Sequence, residues 1–342
     1  MPEIADRTGA GPGVIGALVT CFGLGQLAGY PLFGTLVQRR HSSAALAVAL
    51  ALIAAGDLAF ILGDGLGVYF PARTIQGIGA GGLWMGVVFA LLERWPGEEY
   101  RRLTVLLAAY SIGGVAGPGL GAVGGIRGPF IAHLALVLAA GLVLALLGTP
   151  ADRPRFASDR TALRTPGFLL ASAGVLLVAV GLGTLEGPLP LHFSTLSQAE
   201  LAALYVGASI LVGATAVAAG RLQPRLALAP SAVLIPAGVA IAGIGDDVPA
   251  WIEGVAVVAV GFGLGESGAL GVLLESVGVR RIVLAMVVWS QVWGIGYLAG
   301  PVAAGGVAQA LGYAAVGLVP LAASLAVAAA FPRAPAPGRA VG

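Results

Sequence analysis

Apolar residues in this chain run in long blocks instead of alternating with polar ones, and short polar stretches separate the blocks. Eleven blocks, at 13–37, 43–63, 67–92, 102–124, 129–148, 166–187, 199–219, 228–245, 250–274, 282–308 and 311–331, are read as membrane-spanning segments. A segment of about 20 apolar residues crosses the hydrocarbon core as a helix, because lipid offers the backbone no other hydrogen-bond partner. Strands of a barrel would show a two-residue alternation, which these blocks lack. The pattern therefore predicts an all-α membrane protein with eleven transmembrane helices.

The polar stretches carry a second pattern. Arginines fall in every second connection: Arg39 and Arg40, then Arg94, Arg101 and Arg102, then Arg153, Arg155, Arg160 and Arg164, then Arg221 and Arg225, Arg280 and Arg281, and finally Arg333 and Arg339. Only Arg7 and Arg127 fall on the other side, and Arg73 lies within a span. Basic residues stay on the cytoplasmic side, so the pattern predicts a cell-membrane protein that ends inside. The segment 149–165, with four arginines and two aspartates, is the extended polar connection. It divides an N-terminal half, 1–148, from a C-terminal half, 166–342, and reads as a cytoplasmic linker.

Composition agrees and narrows the function. Hydrophobic residues make up 58% of the chain and charged residues 10%, too few charges to cover a water-soluble surface of this length. The 55 glycines sit inside the apolar runs, where they let helices approach closely. One cysteine, three separated histidines and a net charge of +2 give no sign of a disulfide, a metal centre, a cofactor or a nucleic-acid surface. His41, His133 and His192 read as loop or interface residues. An integral-membrane enzyme would need a cluster of acids, histidines or metal ligands at one interface, and none is seen in the sequence.

The two halves repeat each other. Gly34 and its following Arg39-Arg40 pair with Gly220 and Arg225, Gly77-Ile-Gly79 with Gly261-Phe-Gly263, Glu93 with Glu275, and Gly113-x3-Gly117-Pro118 with Gly296-x3-Gly300-Pro301. All are separated by 182–186 residues, in order along the chain. Parallel repeats of helix bundles build transporters that hold substrate between the halves. The same offset places the counterpart of the span at 166–187 ahead of residue 1. The expectation is a twelve-helix plan minus its first helix, with the acidic start (Glu3, Asp6) as an outer loop.

On these residues the chain resembles the major facilitator superfamily, and within it the drug:proton antiporter branch. Gly34-x-Leu36 with Arg39-Arg40 is similar to the family's loop motif, with Gln38 where the family has aspartate. Arg73-x-x-Gln76-Gly77-x-Gly79 resembles its helix-four motif. Gly113-x3-Gly117-Pro118-x2-Gly121 resembles its antiporter motif, and Arg127-x-x-Phe130 the short stretch after it. The resemblance implies a two-half bundle that works by alternating access, with export as its direction.

Charges inside the spans are the candidate chemistry, since each costs roughly 2.5–3.5 kcal/mol at the bilayer centre on insertion scales. Asp57 and Arg73 lie at similar depth, about 10 Å from the outer ends of sequential antiparallel spans at 1.5 Å per residue. They are expected either as a structural ion pair or as a proton-carrying aspartate tuned by the arginine. Glu266 lies near the midplane with no cation close in sequence, and is a second candidate proton site. Arg39, Arg40, Glu93, Gly113, Gly117, Pro118, Gly300 and Pro301 are candidate elements of a conformational gate. Gln26, Gln76, Trp84, Gln291 and Trp293 are candidates for lining a substrate pocket.

The expected partners are a small-molecule substrate, protons as coupling ion and the lipid bilayer, with the chain acting as a monomer. Proton-driven export of small apolar or cationic compounds leads. Transport of a polar metabolite, and a truncated membrane protein that no longer transports, are the alternatives.

Overall fold

The computed structural model describes residues 12–121, 127–147 and 156–333. It holds eleven long helices: α1 (Pro12–Arg39), α2 (Ser42–Leu62), α3 (Leu66–Arg94), α4 (Glu99–Gly121), α5 (Gly128–Leu147), α6 (Pro166–Glu186), α7 (Gln198–Ala219), α8 (Pro224–Ile244), α9 (Val248–Val277), α10 (Ile282–Leu311) and α11 (Leu318–Ala330). No strand forms among the described residues. Nine of the described helices are long and apolar enough to cross a membrane.

Local chemistry sets the helix ends. The Thr165 side chain accepts from the Phe168 N–H at the start of α6, with Pro166 beside it. Ser197 and Glu200 cap α7 reciprocally. Asp247 accepts from the Ala250 N–H at the start of α9. The last expected boundary moves. Block 282–308 continues to Leu311, and α11 begins at Leu318 instead of 311. Gly312 ends α10 at φ 83°, a left-handed conformation that stops the helix, and a 3-10 turn over Tyr313–Ala315 follows.

Contacts divide the chain into two compact units, Met1–Gly97 with Ala116–Ala157, and Glu98–Val115 with Ser158–Gly342. Helix α4 is thus shared between them.

In the first unit α3 is central, with α1 and α2 packed on it and α5 packed on α2. The α1–α3 seam is built from glycines at four-residue spacing on both helices. A Cβ on Gly25 would lie 2.3 Å from the Thr74 carbonyl oxygen, and one on Gly77 2.1 Å from that of Phe22. Gly29 meets Ile78 O at 2.5 Å and Gly81 meets Gln26 O at 2.6 Å in the same way. These backbones touch because no side chain intervenes. Gly79 turns to the other neighbour, α2, where a Cβ would be 2.9 Å from Ala49 O.

In the second unit α9 packs on α6, α7 and α8, and α6 also packs on α10 and α11. Gly300 sits in the α6–α10 seam, where a Cβ would be 2.7 Å from Val180 O. Opposite it, Gly183 and Gly187 make room for Pro301. Near one end of the unit, His192, Phe193, Trp251 and Tyr313 form an aromatic cluster in which His192 stacks on Tyr313 at 4.6 Å.

Candidate functional site

The first unit holds a buried polar network where α2, α3 and α5 meet. Asp57 on α2 is fully buried. Its Oδ1 accepts a hydrogen bond from Gln76 Nε2 at 2.7 Å. The Gln76 Oε1 in turn accepts from Arg73 Nη1 at 3.0 Å, one turn back on α3. Arg73 and Asp57 therefore meet through Gln76 instead of as a direct ion pair, although they lie close enough to attract each other electrostatically. The amide satisfies both charged groups at once, donating to the anion and accepting from the cation.

Helix periodicity explains the arrangement. Arg73 and Gln76 are three residues apart on α3 and share a face. Gly56 on α2 clears the space that Gln76 occupies, since a Cβ there would be 2.4 Å from its side chain. Above the network the Arg73 guanidinium rests on two rings, 5.5 Å from the Phe22 centroid and 5.8 Å from Phe60. Phe60 stacks between Tyr69 at 4.8 Å and Phe130 at 4.1 Å. Arg73 Nε and the Tyr69 hydroxyl are buried with no hydrogen-bond partner among the described residues.

A fourth polar group joins that sequence reasoning passed over. His133 on α5 places Nδ1 3.1 Å from Asp57 Oδ1 and 3.0 Å from Oδ2. The hydrogen bond is the one to Oδ1, which also accepts from Gln76, while Oδ2 is buried with no hydrogen-bond partner among the described residues. The available signal was depth. His133 lies about 8 Å along α5 from its first residue at 1.5 Å per residue, level with Asp57 and Arg73 on their own helices.

The other candidates fall elsewhere. Glu93, near the end of α3, is buried, and its carboxylate accepts from both the N–H (3.3 Å) and the hydroxyl of Ser42 at the start of α2. Arg39 and Arg40 are exposed. Gly113 lies exposed on α4, where an added Cβ would meet nothing within 4 Å. Gly117 and Pro118 belong to the same helix, but their surroundings lie outside what the structure describes, as does linker segment 149–155. Gln26 and Trp84 are half-buried on α1 and α3.

The second unit places its acids differently. Glu266 on α9 is buried at 6% exposure and makes no hydrogen bond to a described residue. Tyr110 interacts electrostatically with both Glu266 and Glu186. Tyr297 donates to Glu186 Oε2 at 2.7 Å and stacks on Trp293 at 5.2 Å. Trp293 Nε1 is buried and unpartnered among the described residues, and Gln291 is half-buried. Among the described residues no group of three His, Cys, Asp or Glu side chains is placed to hold a metal ion.

Known proteins resemble this chain in sequence and in fold. The vesicular acetylcholine transporter of Mus musculus is 27% identical over 182 residues, which cover 51% of this chain and 34% of that protein. A probable vesicular acetylcholine transporter of Danio rerio is 29% identical over 148 residues, 41% of this chain and 30% of its own length. The chain thus spans about a third of the length of these relatives. Among solved structures, the human organic anion transporter MFSD10 superposes with a TM-score of 0.77 at 16% identity, covering 92% of this chain and 82% of that one. The fucose transporter FucP, described as an E. coli fucose:proton symporter, gives 0.73 at 16% identity, covering 98% and 94%. At that identity the likeness speaks for the fold alone. The family model of the Major Facilitator Superfamily matches residues 1–283, and with eleven helices in the matching fold the chain belongs to this superfamily of multi-pass membrane transporters, which are not enzymes.

Proposed function

We propose that this chain exports small apolar or cationic compounds by alternating access, driven by protons that bind at Asp57 under the control of Arg73. The observation that carries the reading is the buried Asp57–Gln76–Arg73 network. A carboxylate and a guanidinium enclosed by apolar helices are costly to bury even when paired, and intramembrane charges of this kind mark ion and proton pathways. Gln76 couples them, so protonation of Asp57 changes the field at Arg73 and the hydrogen bond that holds it. Glu266 in the second unit is a further proton-binding candidate, since it is buried and makes no hydrogen bond to a described residue.

The substrate class follows from the surroundings. The Phe22 and Phe60 rings lie against Arg73, Tyr69 and Phe130 stack on Phe60, and Trp293 and Tyr297 stack on each other in the second unit. Aromatic faces suit apolar and cationic molecules. The relatives that match are vesicular acetylcholine transporters, and acetylcholine is a quaternary ammonium ion of this kind. In this reading Gly113, Gly117, Pro118, Gly300 and Pro301 belong to the conformational gate of alternating access, with Arg39, Arg40 and Glu93 on its cytoplasmic side. The drug:proton antiporter branch, a monomeric state and a cell-membrane location with a cytoplasmic C-terminus complete the proposal.

The test uses everted vesicles energised to an acid interior, with ethidium fluorescence and radiolabelled acetylcholine uptake as readouts. Transport that collapses with the pH gradient, and that Arg73→Ala abolishes at unchanged membrane abundance, is the expected result. Normal gradient-driven transport by that variant would sink the reading.

A further inference from the structure

Helix α4 carries the glycine and proline motif that stands out in the sequence, yet the segment Glu98–Val115 belongs to the second compact unit and only the end of the helix to the first. Gly97, left-handed at φ 89°, stands just before that segment, and the motif that begins at Gly113 spans its far boundary. One face of the segment is buried. Leu103, Thr104, Leu107 and Ser111, three or four residues apart, lie on it. Its contacts with α7 are made by small groups. A Cβ on Gly220 would be 2.4 Å from Thr104 Oγ1, and one on Gly213 3.5 Å from Ala108 O and 3.6 Å from Ser111 Cβ.

Tyr100, in the first turn of α4, reaches furthest. Its ring lies against α9, where a Cβ on Gly271 would be 2.5 Å from Cε2. Its hydroxyl donates to Ala219 O, on the last residue of α7, at 3.0 Å. That carbonyl also accepts from the Leu222 N–H at 2.9 Å. A carbonyl oxygen accepts two bonds, so the loss of Tyr100 leaves no orphaned acceptor. Tyr100 itself precedes the apolar block 102–124, in a polar connection with Glu98, Glu99, Arg101 and Arg102, where its hydroxyl meets water once it leaves Ala219. Both partners are thus satisfied with the bond made and with it broken, which is what a reversible contact requires. Thr104 is not a second contact of this kind, because its hydroxyl donates to Arg101 O of its own helix at 2.8 Å.

We infer that Tyr100 is the catch of a latch that fastens the arginine-rich end of α4 onto α7 in this conformation and releases when that end opens. The inference rests on the alternating-access reading only in supposing that this end opens. Latched, the segment 98–115 is held to α7 and α9. Unlatched, its start is free to pivot at Gly97, where the backbone is already in a conformation that suits glycine.

The test needs no substrate. The full chain in lipid nanodiscs, with Cys21→Ser, carries spin labels at Arg101→Cys on α4 and Leu222→Cys after α7, both exposed positions, and pulsed electron paramagnetic resonance reads the distance between them. The wild type is expected to show a short and a long population. Tyr100→Phe keeps the ring beside Gly271 and loses only the hydroxyl. One neutral hydrogen bond corresponds to roughly a 2–10-fold change in an equilibrium, so this variant should raise the ratio of long to short by that factor. Thr104→Val, which loses a hydroxyl bonded within α4, should leave the ratio unchanged. A single short population in wild type and Tyr100→Phe alike, a ratio that Tyr100→Phe leaves unchanged, or an equal shift in Thr104→Val overturns the latch. Failure of ethidium and acetylcholine transport beside a ratio that depends on the Tyr100 hydroxyl would overturn the transport reading and leave the latch standing.

Discussion

Gly77 offers a direct check on how the first unit is held together. Replacing it with alanine adds one methyl group in the α1–α3 seam, 2.1 Å from the Phe22 carbonyl oxygen and 2.9 Å from its carbon. Ordinary carbon–oxygen contact needs more than 3 Å, and the obstacle is backbone, so no rotamer change relieves it. The helices must part by about 1 Å, which also loosens the contacts at Gly25, Gly29 and Gly81. Overpacking of this kind costs roughly 1–3 kcal/mol. Against it stands a gain of up to about 1 kcal/mol from replacing a helical glycine with alanine. The net is a loss of about 0–2 kcal/mol, up to roughly a 30-fold lower ratio of folded to unfolded protein, and about 1–3 kcal/mol relative to an alanine that gains only the propensity. Gly113→Ala is the control, because its new Cβ meets nothing within 4 Å and only the propensity gain remains. Reversible unfolding in mixed micelles, followed by circular dichroism, measures both. Equal stability of the two variants would refute the argument that backbone contact, not helix propensity, dictates glycine at position 77.

Two further outcomes follow from single contacts. Glu93→Ala removes the acceptor of the Ser42 N–H and hydroxyl, leaving buried donors unsatisfied at the start of α2, and is expected to cost about 1–3 kcal/mol in the same unfolding assay, with Glu93→Gln costing less. Asp159 caps the 3-10 turn Arg160–Arg164 by accepting from the Thr161 hydroxyl and N–H, at 2.6 and 2.8 Å, and from Arg281 at 3.4 Å. The Thr161 bonds first, and then Arg281, hold the Asp159 carboxyl below its ordinary value. The added stability of the turn is therefore full above the ordinary aspartate range and lost as pH falls through the lowered value. Hydrogen exchange at Thr161 should report greater protection in the wild type than in Asp159→Asn at neutral pH and equal protection in strong acid.

Hydrophobic blocks showed the helices well because lipid forces one backbone solution on any long apolar run. The block at 166–187 became Pro166–Glu186, and that at 43–63 became Ser42–Leu62. Boundaries slipped where conformation outweighed hydropathy. Pro224 starts α8 four residues ahead of the expected 228, as proline suits a first turn, and Gly312 stops α10 inside a still apolar stretch. The polar site was half legible. Counting residues from the helix ends placed Asp57 and Arg73 at one depth. It could not show that Gln76 stands between them, because that depends on rotation of α3 against α2. Nor did it reveal His133, which meets Asp57 across 76 residues of sequence. A histidine in an apolar run looks like any interface residue until its partner is known.

In the proposed transport cycle Asp57 is the group that binds the transported proton. Its most direct test is proton movement itself. The full chain is reconstituted in liposomes that enclose a pH-sensitive dye and are preloaded to an acid interior, and an outward gradient of protons is discharged by adding ethidium or acetylcholine outside. The wild type should alkalinise the lumen as substrate enters, and Asp57→Asn should bind substrate and move no protons. Substrate-driven proton flux of wild-type size in Asp57→Asn would contradict the account.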